Sequence, residues 1–316
     1  PLDSGSRSLR SLGRNDGEHN RQEFIIQHAR ASWPAYRGRQ GMEIPTPSSQ
    51  IDPVKLVPES RFKFACHKGL SCFTQCCRGI DIILTPYDIL RMKKRLGLTA
   101  DEFLHAHTDV EILEKTMLPV VRLKMREEDG SPCPFVTAEG CSIYDDRPAT
   151  CRYYPVGMVF LKKQDVPDKE EFYFMVREDH CKGFAESREW TVAEWRADQG
   201  LDLYDERNRG WMEIILRKKS LGPTAELSPK ALQLFFMVSS NVESFRRFVF
   251  ESRFLSAYDV PAERIEKMRN DDLELLEFGF EWLRGVLYGD RGVNLKPEAA
   301  ADRDRRNDAS AEPRDS

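Results

Sequence analysis

Eight cysteines, Cys66, Cys72, Cys76, Cys77, Cys133, Cys141, Cys151 and Cys181, crowd into the stretch from residue 66 to residue 181, and none lies outside it. An even, clustered count means that they work as a set. Three chemistries compete for such a set. A disulfide framework belongs to small secreted domains with weak cores. This chain has 316 residues, 40% of them hydrophobic, enough for a real core without cross-links. Buried free thiols packing as small hydrophobes would scatter into the rest of the chain as well. Ligation of a metal by thiolates, as mononuclear zinc or as an iron–sulfur cluster, accounts best for the clustering.

The 48 basic and 52 acidic side chains leave a net charge of −4, which argues against a nucleic-acid binder relying on general basicity. No run approaches the ~18 consecutive apolar residues of a membrane helix. Pro1 to Asn20 is polar and lacks the apolar stretch of a secretory signal, so a cytoplasmic location is expected.

The expected fold class is α+β. A mostly disordered segment is expected over 1–58, where Pro45 to Ser49 has linker composition and Gln22 to Ser32 is the one helix candidate. A small, loop-rich cysteine domain of short strands and helices follows over 59–185. Its expected strands are Phe62 to Cys66, Ile80 to Leu84, Val120 to Met125 and Phe172 to Val176, with a hairpin between Cys133 and Tyr144. Thr85-Pro86-Tyr87-Asp88 reads as a capped helix start, with the stop at Gly97. Thr99 to Glu102 and Thr191 to Glu194 repeat the capping box. Pro148 is expected to start one helical turn carrying Cys151. A mainly helical region spans 186–290, its apolar residues recurring at helical spacing, and they are most simply core. The mixed-charge tail, 291–316, reads as disordered. The basic run Arg91 to Arg95 is expected to be a solvated helix face.

Tetrahedral zinc takes four ligands and iron–sulfur clusters about four thiolates, so eight cysteines suggest two four-ligand sites or one multinuclear site. Neighbouring side chains in an extended chain point to opposite sides, so Cys76 and Cys77 should serve different sites, or different atoms of one cluster. Pro132 and Pro134 stiffen Cys133, and Gly140 allows a tight bend before Cys141. His67 and His180 each adjoin a cysteine as secondary ligand candidates. Lys68, Arg78, Arg147 and Arg152 lie near the cysteines and could offset thiolate charge, or be ordinary surface residues. There is no G-x-G-x-x-G, P-loop, H-E-x-x-H or G-x-S-x-G motif, and neither the ferredoxin run nor a C-x3-C-x2-C triplet.

Several of these segments together resemble a known family. They are Phe64-Ala65-Cys66, Cys76-Cys77-Arg78, Leu84 to Asp88, Cys133-Pro134-Phe135, Gly140 to Tyr144, Arg147-Pro148, Cys151 to Pro155 and Cys181-Lys182-Gly183. The stretch 62–184 resembles the YkgJ-type cysteine-cluster family, described as a zinc- or iron-chelating domain and shared with the flagellin lysine N-methylase FliB. The family's compact C-x2-C-x2-C-C is stretched here to Cys66-x5-Cys72-x3-Cys76-Cys77. The resemblance implies metal chelation by all eight cysteines and settles no reaction. The leading expectation is thus a metal-binding protein holding zinc or iron, with an iron–sulfur cluster as one form. A FliB-like protein-lysine N-methyltransferase, an iron–sulfur electron carrier and a scaffold docking a protein partner through its C-terminal helices are the alternatives. Neither nucleic acid nor membrane is an expected partner.

Overall fold

Three threonines set the helix starts around the cysteine region. Thr85, Thr99 and Thr191 each accept a hydrogen bond from the backbone N–H three residues on, and Asp88, Glu102 and Glu194 answer by accepting from the threonine's own N–H. Each reciprocal pair satisfies two of the helix N–H groups that lack an intrahelical partner. This computed structural model describes residues 50–161, 170–222, 224–290, 292–302 and 305. The helix candidate at Gln22 to Ser32 and the linker at Pro45 to Ser49 lie outside them.

In chain order the strands are β1 (Gln50–Leu56), β2 (Arg61–Lys63), β3 (Ile83–Leu84), β4 (Thr108–Leu113), β5 (Leu118–Leu123), β6 (Val136–Thr137), β7 (Gly140–Cys141), β8 (Val156–Leu161), β9 (Glu170–Arg177) and β10 (Glu189–Thr191). The helices within the cysteine region are α1 (Pro86–Leu96), α2 (Ala100–His107) and α3 (Ala149–Tyr153). The helices α4 (Val192–Gln199), α5 (Leu201–Leu221), α6 (Pro229–Ser240), α7 (Val242–Glu251), α8 (Phe254–Ala257), α9 (Ala262–Asn270) and α10 (Asp272–Tyr288) follow. The architecture is α+β, with short strands gathered in small antiparallel sheets and the helices mostly downstream. The sheet orders are β1-β9-β8, β3-β5-β4, β2-β10 and β6-β7. No described helix is long and apolar enough to cross a membrane.

Two of the hydrophobic cores draw on both sides of residue 185. The larger is built from α5, α6, α7 and α10, with Phe235, Phe245, Phe278 and Leu283 fully buried, and Tyr87, Leu90, Leu118 and Ala149 enter it from the cysteine region. The smaller packs Phe64, Val156, Tyr173 and Met175 against Trp190, Val192 and Trp195. Phe64 meets Trp195 edge-on at 5.5 Å, and the Trp190 indole donates to the Phe64 carbonyl at 2.9 Å. Buried aromatics with a satisfied polar edge are strong cross-links of this kind.

Several details depart from expectation. Strand β1 lies inside the segment expected to be mostly disordered, because it finds a partner in β9. The strand expected over Ile80 to Leu84 shrinks to β3. Strand β8 carries Gly157, an unpromising strand residue. A Cβ there would stand 2.2 Å from the Phe174 ring on the neighbouring strand, so the sheet needs its absence. The basic run on α1 is a solvated face only in part, at Lys94 and Arg95. Lys93 is 7% exposed and pairs with Glu243 at 2.6 Å, while Arg91 pairs with Asp146 at 2.5 Å. Helix α1 therefore packs against protein at Arg91 and Lys93 and meets solvent at Lys94 and Arg95.

Asp88 ties this framework to the cysteines. It is fully buried. One carboxylate oxygen accepts from Thr85 N at 2.8 Å and the other from Ala149 N at 2.9 Å, the first residue of the helix that carries Cys151. Burial pushes its carboxyl up to about 6, against the pull of those N–H donors. Asp88→Ala strands two buried donors and should cost about 3 kcal/mol in urea unfolding, with Asp88→Asn recovering part of it. A carboxyl harder to ionise folded than unfolded contributes less stability as pH rises through about 4 to 6. The wild-type minus Asn difference in unfolding free energy should therefore fall across that window, and a flat difference would remove Asp88 as its source.

Candidate metal centre

The first and last cysteines meet because the chain closes on itself. Strand β2 pairs antiparallel with β10, Phe62 opposite Trp190, and the pairing continues as Phe64 N donates to Arg188 O at 2.9 Å and Ala65 N to Gly183 O at 3.1 Å. This lays Cys66 alongside Cys181. Gly183 is required at the crossing, since a Cβ there would stand 2.7 Å from the Ala65 carbonyl oxygen, which is backbone and cannot yield.

Between Cys66 and Cys72 the five intervening residues coil into turns. Leu70 N donates to His67 O, Phe73 N to Leu70 O and Gln75 N to Cys72 O. The stretched spacing is absorbed there, and Cys72, 8% exposed, still reaches the far end of the chain segment. Its sulfur accepts from Lys182 N at 3.2 Å. A 3-10 turn over Gln75–Cys77 then presents the vicinal pair, entered through Thr74 with φ 68°.

Cys66, Cys72, Cys76 and Cys181 form one neighbourhood. Burial and then the charges of Cys76, Cys72 and Cys181 raise the Cys66 thiol to about 11. Cys76 is pushed far up by its hydrogen bond to Cys77 and by burial. Cys181 is raised by burial, partly relieved by the Tyr154 hydroxyl and the Gly183 N–H. Glu178 and His180 border this group, 3.3 Å apart, and the Glu178 Oε2, the His180 Nε2 and the Tyr154 hydroxyl are buried atoms without a well-formed hydrogen bond. His67 lies 3.4 Å from Glu186 at the surface.

Cys133, Cys141 and Cys151 form the second neighbourhood, joined by the backbone of Cys77, whose carbonyl accepts from Cys133 N at 2.8 Å. Cys141 stands on β7 opposite Val136, in the short hairpin expected here. Cys151 sits on α3, started at Pro148 as expected and anchored by Asp88. Burial raises all three thiols, and for Cys151 the charges of Cys133 and Cys141 add to it. Cys76 also reaches Cys151 electrostatically, so the vicinal pair stands where the two neighbourhoods adjoin.

All eight cysteines are free thiols. Among the described residues no three His, Cys, Asp or Glu side chains stand in one ligand shell. The donor set nevertheless suits a thiophilic cation, with soft sulfur donors from distant parts of the chain gathered in two adjoining groups. The raised thiols are protonated at neutral pH, so a metal must displace protons to bind. Asp88, Tyr154 and Gly183 lie in segments that carry the family resemblance, but no role beside the cysteines was expected of them or of Glu178. Only the Asp88 capping box and the glycine two residues after the last cysteine signalled them.

Residues 65–182 match the family model CxxCxxCC, "Putative zinc- or iron-chelating domain". This segment of the chain is a cysteine-cluster domain of that family, and it contains all eight cysteines. No curated protein and no solved structure matches the chain.

The closure at Gly183 carries a prediction. Gly183→Ala must push the Cys181 segment away from Ala65, and about 1–3 kcal/mol of stability should be lost. Alkylation in the absence of metal should label Cys66 and Cys181 faster in this variant, while Cys151 reacts at the wild-type rate. Unchanged labelling of Cys66 and Cys181 would mean that the crossing does not hold them together.

Proposed function

We propose that this domain is a thiolate metal centre holding zinc or iron. Cys66, Cys72, Cys76 and Cys181 supply one four-sulfur group and Cys77, Cys133, Cys141 and Cys151 the other. The observation that carries this reading is the convergence of eight free thiols, from stretches more than a hundred residues apart, around one vicinal pair. The family match to a zinc- or iron-chelating domain supports it. When bound, zinc would supply a redox-silent cross-link, whereas an iron–sulfur cluster would supply electron transfer. The chain itself holds the donors in place: β2 and β10 fix Cys66 and Cys181, Asp88 fixes Cys151, and the β6-β7 hairpin fixes Cys141.

Protein purified without oxygen should contain metal in proportion to its sulfur groups. About four irons with matching sulfide and a broad band near 400 nm would identify a cluster, and one or two zincs without visible absorption a pair of mononuclear sites. Absence of both metals, with all thiols free under reducing conditions, would overturn the reading.

The larger, helical core contains no cysteine, whereas Cys181 packs against the smaller one, so metal removal should loosen the cysteine loops without unfolding the helices. In hydrogen exchange, a chelator should speed the amides of 66–82 and 131–151 while those of α6, α7 and α10 hold. Uniform acceleration throughout would show instead that the metal supports the whole fold.

A further inference from the structure

A carboxylate oxygen and an imidazole nitrogen, both cut off from solvent, stand side by side next to the last cysteine. Strand β9 ends at Arg177, and the chain then makes a tight turn in which the Cys181 N–H donates to the Glu178 carbonyl at 2.9 Å. Glu178 Oε2 lies 3.3 Å from His180 Nε2, and the two side chains are 11% and 34% exposed. Tyr154 comes to the same place from the neighbouring strand, since the Val176 N–H donates to the Pro155 carbonyl at 2.8 Å, and Tyr154 and Cys181 pack against one core. Its hydroxyl is buried too, and among the described residues none of the three atoms has a well-formed hydrogen bond. Buried polar atoms are nearly always paired, so three orphans around one turn call for a physical reason.

The spacing of the pair is that of two ligands on one metal ion. Oxygen and nitrogen donors about 2.0–2.1 Å from a tetrahedral ion stand about 3.3 Å apart. A hydrogen bond could have that length, but the alignment it needs is missing. The other histidine beside this group is different in kind. His67 Nε2 lies 3.4 Å from Glu186 at the surface, and its Nδ1 accepts from the Gly69 N–H at 3.2 Å. The proton of His67 therefore sits on Nε2, facing the carboxylate as a donor. The segment that carries Glu178 and His180 also touches the first sulfur group directly. The Lys182 N–H donates to the Cys72 sulfur at 3.2 Å, and the Ala65 N–H, next to Cys66, donates to the Gly183 carbonyl at 3.1 Å. Among the described residues no third ligand shares a shell with the pair, so the sulfurs have to draw in on it.

We propose that Glu178 Oε2 and His180 Nε2 are metal ligands of the first centre, which is a mixed oxygen, nitrogen and sulfur site for a borderline divalent cation of the zinc type. This rests on the metal-binding reading above and changes the donor set of this one centre. Two of its four positions pass from sulfur to the pair, while the Cys77/Cys133/Cys141/Cys151 centre keeps sulfur alone. The two centres then differ in chemistry, because carboxylate and imidazole are harder donors than thiolate and suit zinc better than a cluster of iron and sulfide. A Cys181 thiolate on the metal also gives the Tyr154 hydroxyl an anionic acceptor, which accounts for the third orphan.

The test is X-ray absorption at the zinc edge on the full chain, stripped of metal and reloaded with Zn²⁺ in the absence of oxygen. Zinc–sulfur distances of about 2.3 Å and zinc–nitrogen or –oxygen distances of about 2.0–2.1 Å separate the two kinds of ligand, and an imidazole adds its own outer-shell scattering. Averaged over both centres, wild type should show about three sulfurs and one lighter ligand per zinc, with the imidazole signature. His180→Ala should lose that signature, and His180→Ala and Glu178→Ala should each halve the lighter shell as a sulfur of the group takes the emptied position. His67→Ala is the control and should match wild type. A wild-type shell of sulfur alone would overturn the inference and leave the metal-binding reading standing. So would a lighter shell that keeps its full amplitude in His180→Ala or Glu178→Ala, or an imidazole signature lost in His67→Ala. If the variants at 178 and 180 fail to fold by circular dichroism, wild type and His67→Ala decide, the imidazole signature in both supporting the inference and its absence from either overturning it. A wild-type chain that takes up no zinc sinks the metal-binding reading itself, an outcome distinct from any change of ligand shell.

Discussion

The antiparallel pairing of β2 with β10 is the contact on which the rest of the sulfur arrangement depends. It involves only three residues on each strand, too few to persist alone in water. Its strength comes from what it buries. Phe62, Phe64, Trp190 and Trp195 form one aromatic knot across it, and Val192 continues the segment straight into α4 with its side chain fully buried. Closing a loop of more than a hundred residues carries an entropic cost that grows only slowly with length. A few well-packed aromatics can therefore hold Cys66 beside Cys181. Once they meet, the turns after Cys66 bring Cys72 to Lys182, and the vicinal pair falls between the two neighbourhoods.

The second neighbourhood is held by a different device. Its cysteines sit on short elements, a two-residue hairpin and a five-residue helix, neither of which would be stable in isolation. Helix α1 supplies the rigidity. Its N-terminus is capped by Thr85 and Asp88, its flank is pinned by Lys93 to Glu243 and by Arg91 to Asp146, and Tyr87 and Leu90 are sunk in the helical core. Asp88 then passes that rigidity to Ala149 through one oxygen. The helical half of the chain is thus a foundation for the cysteine half. Tertiary packing, rather than local propensity, keeps the short ligand-bearing elements in register.

What could be read from the sequence follows from the range of the physics involved. Capping boxes, the helix stop at Gly97 and the turn at Pro148 are local signals, and the structure has them at those residues. Adjacent side chains of an extended chain would point Cys76 and Cys77 apart, but the pair lies in a 3-10 turn and Cys76 is hydrogen-bonded to Cys77. The resemblance located the domain, which the family match places at residues 65–182. Strand β8 was illegible because its glycine makes sense only with the Phe174 ring across the sheet. The burial of Lys93 was illegible because Glu243 lies 150 residues away. Asp88 was legible as a cap but not as a tether, since nothing local says that Ala149 lies within reach.

The two sulfur neighbourhoods differ in the charged residues around them. Four thiolates around a divalent ion carry excess negative charge wherever they are buried, and a low-dielectric site must be given positive charge or fixed N–H dipoles to accept it. Near Cys141 and Cys151 the chain provides the buried Arg147 guanidinium, held by the Tyr144 carbonyl and lying over the Tyr144 ring. Around Cys66, itself exposed, solvent can do that work, and the fold provides Glu178 and a partly exposed His180 instead.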